Sequence, residues 1–104
     1  MNNVKKMSSY VEKFNLIQQN KDLDKFIQDE NWIIRCEVAK RGYGLDILIN
    51  DEAATVRCVV ARQGYGLNKL INDEILSVKQ AVIEYCKIHT EKQECKNILQ
   101  LYNL

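Results

Sequence analysis

The residues of this sequence best suited to metal binding or catalysis are four cysteines and one histidine: Cys36, Cys58, Cys86, Cys95 and His89. Cys86, His89 and Cys95 lie close in sequence, but they offer zinc only three ligands at a spacing that matches no common finger. No arrangement of serine, histidine and acid for nucleophilic catalysis is present. The sequence therefore predicts small buried thiols in a reducing compartment, with no metal, no cofactor and no enzymatic activity.

An internal repeat organises the sequence. Residues 29–50 and 51–72 are identical at 13 of 22 positions without a gap. The same register continues more weakly on both sides, as expected for the end units of a repeat array. The sequence predicts one domain over 1–104, with four units near 7–28, 29–50, 51–72 and 73–94 and a C-terminal capping helix over 91–102.

The sequence of each unit predicts a long helix, a glycine that ends it and a short helix. Val56, Val59 and Val60 recur on one helical face as a buried stripe. Asp51 is a suitable N-cap, and Gly42 and Gly64 fall where left-handed residues end helices. Long helices are predicted near 3–19, 32–41, 53–63, 74–88 and 91–102. Short elements, α or 3₁₀, are predicted near 23–28, 45–49 and 67–71.

Composition narrows the class of protein. The net charge of +1 excludes a dedicated basic arm for nucleic acid. Hydrophobic residues at 46% and charged residues at 28% are typical of a folded domain. The sequence has no apolar run long enough for a membrane span and no signal-peptide pattern at its start. We expect a cytoplasmic protein that does not contact membranes.

Two motifs carry a resemblance to known repeats. Asp51–Ala61 reads Asp-x-x-x-x-Val-Arg-x-x-Val-Ala, as does Asp29–Ala39 with Ile for the first Val, and this string resembles HEAT-like repeats. The following Leu-x-x-Leu-Ile of 45–49 and 67–71 is similar to the leucine-rich-repeat variant. The resemblance implies an all-α fold: a short right-handed α-solenoid, HEAT-like or ARM-like, that alternates long α-helices with short α or 3₁₀ helices.

Two columns of charged residues recur at the 22-residue period. The basic column is Lys13, Arg35, Arg57 and Lys79, and the acidic column is Asp29, Asp51 and Asp73. The resemblance to HEAT repeats implies Asp–Arg hydrogen bonds between neighbouring units, which would make the columns a structural ladder. The other interpretation is a basic stripe that binds phosphates or an acidic partner.

A second set of residues is typical of binding surfaces: Trp32, Arg41, Tyr43, Arg62 and Tyr65. Each tyrosine has the alternative role of covering the short helix below it, and Trp32 that of covering the first unit. We expect a non-catalytic adaptor or inhibitor that binds another protein, as a monomer or weak homodimer. Nucleic-acid binding through the basic column is the alternative, and a HEAT-like DNA glycosylase is a distant third.

Overall fold

The regular structure is helical throughout. A computed structural model describes residues 2–104, with side chains from residue 9 onward, so residue 1 of the predicted domain and the side chains of 7 and 8 in the first unit lie outside it. These residues form α1 (Asn2–Gln18), α2 (Leu23–Phe26), α3 (Trp32–Lys40), α4 (Leu45–Leu48), α5 (Ala54–Arg62), α6 (Leu67–Leu70), α7 (Leu76–Ile88) and α8 (Gln93–Leu101), and no strand. The all-α prediction is confirmed, and predicted helix ends differ from the observed ones by at most two residues. None of these helices is long and apolar enough to cross a membrane.

The long helices pack against one another in chain order. α1 contacts α3, α3 contacts α5, α5 contacts α7, and α7 contacts α8. Each of the short helices α2, α4 and α6 contacts the long helix before it and the one after it. Val38, Val60 and Val82, which lie 22 residues apart, are each fully buried in the core between these helices. Equivalent residues of successive units therefore occupy equivalent places.

Glycines end α3 and α5 in the same way. Gly42 and Gly64 have φ of 73° and 77°, in the left-handed region that favours glycine. The residue after each glycine donates its N–H back to the helix, from Tyr43 to the carbonyl of Val38 and equivalently one unit later. This is the hydrogen-bonding pattern of a Schellman motif, and it satisfies carbonyls that the end of a helix leaves free.

The first and fourth units have other residues at the position of these glycines. Asn20, 22 residues before Gly42, also has positive φ, at 58°, and Lys21 donates its N–H to the carbonyl of Leu16. Asparagine is one of the few residues other than glycine that tolerates this backbone. In the fourth unit Cys86 holds the position, and α7 continues past it to Ile88. The first unit thus keeps the turn without glycine, whereas the fourth loses it.

Candidate functional site

Arg35 ties two consecutive units together. Its Nε and Nη2 donate to the two carboxylate oxygens of Asp51 at 2.7 and 3.0 Å, and its Nη1 donates to the backbone carbonyl of Asp29 at 2.7 Å. The two side chains are 9% and 7% exposed. A bidentate, nearly buried guanidinium–carboxylate pair of this kind is among the stronger polar contacts in proteins.

Arg57 repeats this arrangement one unit later. It donates to the carboxylate of Asp73 at 2.7 and 3.2 Å and to the carbonyl of Asp51 at 2.7 Å. In the first unit Lys13 makes a single bond to Asp29, at 2.8 Å. Sixteen residues after Lys79, where the other basic residues of the column have their aspartate, the sequence has Cys95. The Lys79 side chain makes no hydrogen bond to any residue that the structure describes.

The acidic partners do not cap the long helices as predicted for Asp51. α5 begins at Ala54 with Ala53 as its N-cap, and no side chain caps it. The Asp51 carboxylate instead accepts the N–H of Ala53, two residues on, at 2.9 Å. Asp29 and Asp73 accept in the same way at 2.9 Å. The N-cap prediction was wrong because the carboxylate faces the arginine of the preceding unit, which leaves it beside the loop rather than over the first helical turn.

The ion pair changes the acidity of Asp73. Hydrogen bonds from Arg57 hold the pKa of the Asp73 carboxyl below its ordinary value; burial acts in the opposite direction, and the N–H of Ile75 adds to the lowering. A carboxyl whose folded pKa lies below its unfolded value stabilises the folded state above the unfolded pKa. That contribution is lost as the pH falls through the folded pKa.

We expect acid to weaken wild type more than the Asp73→Asn variant. Between about pH 5 and pH 2, the free energy of unfolding of wild type should fall more steeply, since only wild type must protonate this carboxyl. Urea unfolding at a series of pH values measures both slopes. Asp46→Asn, at an exposed carboxyl without an ion pair, should follow wild type. Identical slopes for wild type and Asp73→Asn would contradict a lowered pKa of Asp73 in the folded state.

Four of the five predicted binding residues lie where α3 and α5 end; we call this side of the molecule the glycine edge (Arg41, Tyr43, Arg62 and Tyr65). Arg41 Nε donates to Asn20 Oδ1 at 3.0 Å, and the Tyr43 hydroxyl donates to Asp24, both in the preceding unit. Arg62 and Tyr65 are exposed, and their side chains make no hydrogen bond to other described residues. Two of these residues therefore connect units, and two face solvent.

Trp32 lies apart from that group. It is the first residue of α3, whereas Arg41 follows the last one. Nine residues of helix separate the two backbones by about 13 Å. We call the side on which α3, α5 and α7 begin the start edge (Glu30, Trp32, Glu52, Glu74 and Leu76). Tyr10, in the middle of α1, lines the same cavity as Glu30. The residues that sequence reasoning grouped as one surface are thus divided between two edges.

The residues that the sequence offers for metal binding or nucleophilic attack are four buried thiols and one stacked imidazole. All four cysteines are free and buried. Burial, with a hydrogen bond to Cys95 as the second cause, raises the pKa of the Cys86 thiol to about 12, which keeps it protonated. His89 stacks on Tyr85 with ring centroids 4.1 Å apart. Over residues 9–104, no three His, Cys, Asp or Glu side chains come together as a metal site.

A column of glutamates on the start edge was not predicted from the sequence. Glu30, Glu52 and Glu74 directly follow the ladder aspartates, are exposed, and pair with no basic residue that the structure describes. They lie in three shallow cavities, one at each junction between units. The sequence contains the pattern that predicts this column, because the three glutamates recur at the same 22-residue period as the aspartates.

The geometry defines an all-α protein whose repeated charged residues join neighbouring helices. Comparison of the chain with protein-family models, with curated proteins and with solved structures gave no match.

Proposed function

We propose that this chain is a non-catalytic protein-binding module, an adaptor or inhibitor, built as a short right-handed α-solenoid of HEAT-like repeats related to the leucine-rich-repeat variant. Support for the solenoid comes from long helices that pack in chain order, with α3, α5 and α7 beginning 22 residues apart and a short helix after each of α1, α3 and α5. The proposal includes a monomer or weak homodimer in the cytoplasm, where a reducing environment suits four buried free thiols.

The observation that carries protein binding is the exposure of aromatic side chains, two of which, Tyr43 and Tyr65, occupy equivalent positions of consecutive units. Trp32, Tyr43 and Tyr65 are 47%, 37% and 41% exposed. Folding leaves this apolar area in contact with water at a cost in free energy, which a partner would remove. Trp, Tyr and Arg are also the residues that dominate the energetics of protein interfaces.

Nucleic-acid binding through the basic column has less support. The donors of Arg35 and Arg57 are directed at carboxylates and carbonyls of the fold. A phosphate would have to displace those acceptors and to approach the neighbouring glutamates. Catalysis has no support from the thiols, whose pKa values at Cys36 and Cys86 are raised, chiefly by burial.

Affinity capture tests the proposal. We expect immobilised wild type to retain a specific protein from a lysate of its own cells, and Tyr65→Ala to retain it about tenfold less, as for an aromatic interface residue. Tyr102→Ala is the matched control, since Tyr102 is similarly exposed, at 44%, but lies at the chain's end. Thermal melting of both variants checks that they are folded.

A titration with duplex DNA at two salt concentrations tests the alternative. No protein retained, together with DNA affinity that falls steeply with salt, would overturn the proposal in favour of phosphate contacts. Specific protein capture with weak, salt-insensitive DNA binding would support it.

A further inference from the structure

Two cysteines face each other across the last pair of helices. α7 ends at Ile88 and α8 begins at Gln93, and the two helices contact each other. Neighbouring helices joined by so short a loop form an antiparallel hairpin. Cys86 is two residues before the end of α7, and Cys95 is two residues after the start of α8. The two cysteines therefore lie at the same height along the hairpin.

Both side chains point into the core between these helices. Cys86 and Cys95 are each 0% exposed and belong to the same hydrophobic cluster. The hydrogen bond between their thiols, which contributes to the raised pKa of Cys86, places the two sulfurs side by side. Packed helices with axes roughly 8–10 Å apart bring directly facing Cα atoms within about 7 Å, which a disulfide can span.

The other two cysteines are not paired in this way. Cys36 and Cys58 occupy equivalent positions of α3 and α5, so about one helix spacing, roughly 8–10 Å, separates them. That distance exceeds the span of a disulfide. The Cys58 Sγ lies instead 3.7 Å from the Ser77 Oγ. The fold therefore brings together one pair of its four free cysteines.

Burial sets the condition under which this pair reacts. A thiolate is the nucleophile in disulfide exchange, and the Cys86 thiol, with its pKa raised to about 12, stays protonated while the hairpin is closed. α8 is the last helix, and its buried side chains are only Cys95, Ile98 and Leu99. Terminal elements of this kind open locally at a lower free energy than the whole domain unfolds. Opening of α8 exposes both thiols to an oxidant in water.

We propose that Cys86 and Cys95 form a redox-sensitive staple, in which a small disulfide such as oxidised glutathione links the two thiols and the new bond fixes α8 on α7. The thiolate of one cysteine attacks a sulfur of oxidised glutathione, forms a mixed disulfide and displaces one glutathione thiolate. The thiolate of the other cysteine attacks the cysteine sulfur of that mixed disulfide and displaces the second. Two electrons pass to the oxidant, and the two thiol protons end on the released glutathione molecules.

The staple adds a response to oxidation that is independent of the proposed protein binding. In a reducing compartment the pair stays as thiols, and α8 opens and closes. Under oxidising conditions the disulfide holds the last unit closed, because a cross-link removes conformations from the open state.

Mass spectrometry of the full chain tests the linkage. The folded protein, without urea, is incubated with an excess of oxidised over reduced glutathione and quenched with acid. We expect a product about 2 Da lighter than the reduced chain, since two hydrogens leave. After alkylation and digestion, Cys86 and Cys95 should be found in linked peptides, whereas Cys36 and Cys58 should be alkylated.

Thermal melting and hydrogen exchange measure what the bond does. The linked form should melt roughly 5–10 °C above the reduced form, and amide exchange in α8 should slow at least about tenfold. Dithiothreitol should reverse both effects. The Cys36→Ala, Cys58→Ala double variant should respond like wild type, whereas Cys95→Ala should give neither the lighter product nor the rise in melting temperature. If Cys95→Ala does not fold, the double variant decides, because its only thiols are the proposed pair.

Three results would overturn the inference. The first is a pair of thiols that stays reduced in the folded chain, which includes linkage only in urea. The second is linkage of Cys86 or Cys95 to Cys36 or Cys58 instead of to each other. The third is a linked form that melts at or below the temperature of the reduced form.

Discussion

Arg57→Ala is expected to lower the free energy of unfolding by roughly 1–3 kcal/mol. The substitution leaves the Asp73 carboxylate, whose side chain is 10% exposed, without its charged partner. It also removes the donor to the carbonyl of Asp51. Both acceptors belong to loops that precede long helices. Removal of the guanidinium that joins them therefore loosens the junction between the third and fourth units. Urea unfolding followed by circular dichroism measures the effect.

Arg62→Ala is the matched control, because this exposed arginine makes no side-chain hydrogen bond to other described residues. It should change stability by no more than about 0.5 kcal/mol. A double-mutant cycle with Asp73→Ala should give a combined loss smaller than the sum of the single losses, as for residues in contact. If Arg57→Ala melts like wild type, the guanidinium is not structural, and the basic column regains its interpretation as a binding surface.

Gly64→Ala is expected to lower the free energy of unfolding by roughly 2–4 kcal/mol, more than Gly42→Ala does. Both positions have positive φ, where a non-glycine residue costs about 1–2 kcal/mol. A Cβ at Gly64 would also overlap the ring of Tyr85, whereas one at Gly42 meets nothing within 4 Å. The Tyr85 ring is held in place by stacking on His89 and by Lys92, whose Nζ lies 5.0 Å from its centroid. Overpacking of this kind adds about 1–3 kcal/mol.

Thermal and urea unfolding of the two alanine variants give the comparison. Gly42→Asn should cost less than Gly42→Ala, since Asn20 already adopts this backbone at the equivalent position of the first unit. In a Tyr85→Ala background, Gly64→Ala should lower the free energy of unfolding only by the cost of the positive φ. That loss should be close to the loss caused by Gly42→Ala. Equal losses for Gly42→Ala and Gly64→Ala in the wild-type background would show that Tyr85 moves aside freely.

Helix positions were predictable from this sequence because of its repetition. Two nearly identical segments must adopt nearly the same backbone, and α3 and α5 accordingly have the same length. The turn in the first unit was less evident, since Asn20 replaces glycine there and only its tolerance of positive φ preserves the turn. Cys86 lacks that tolerance, and α7 continues through the position.

The pairing within the ladder was not predictable in the same way. The resemblance implied a bond between neighbouring units, but Arg57 has an aspartate in the unit on either side, Asp29 and Asp73, and the two carboxylates are chemically identical. The structure pairs the guanidinium with the carboxylate of Asp73 and with only the backbone carbonyl of Asp51. Distance along the chain does not decide between them, because the choice depends on where the next unit's loop lies against α5.

The amino-acid sequence by itself determined the all-α class, the 22-residue period and the approximate ends of the helices, since these follow from local hydrophobic spacing and from backbone preferences repeated along one chain. Only the tertiary structure decided which acid each arginine binds, that Trp32 and Tyr43 lie at opposite ends of α3, and that Gly64 but not Gly42 faces a tyrosine ring. Those features depend on contacts between units, and a residue's own unit does not contain the information on what its neighbour places beside it.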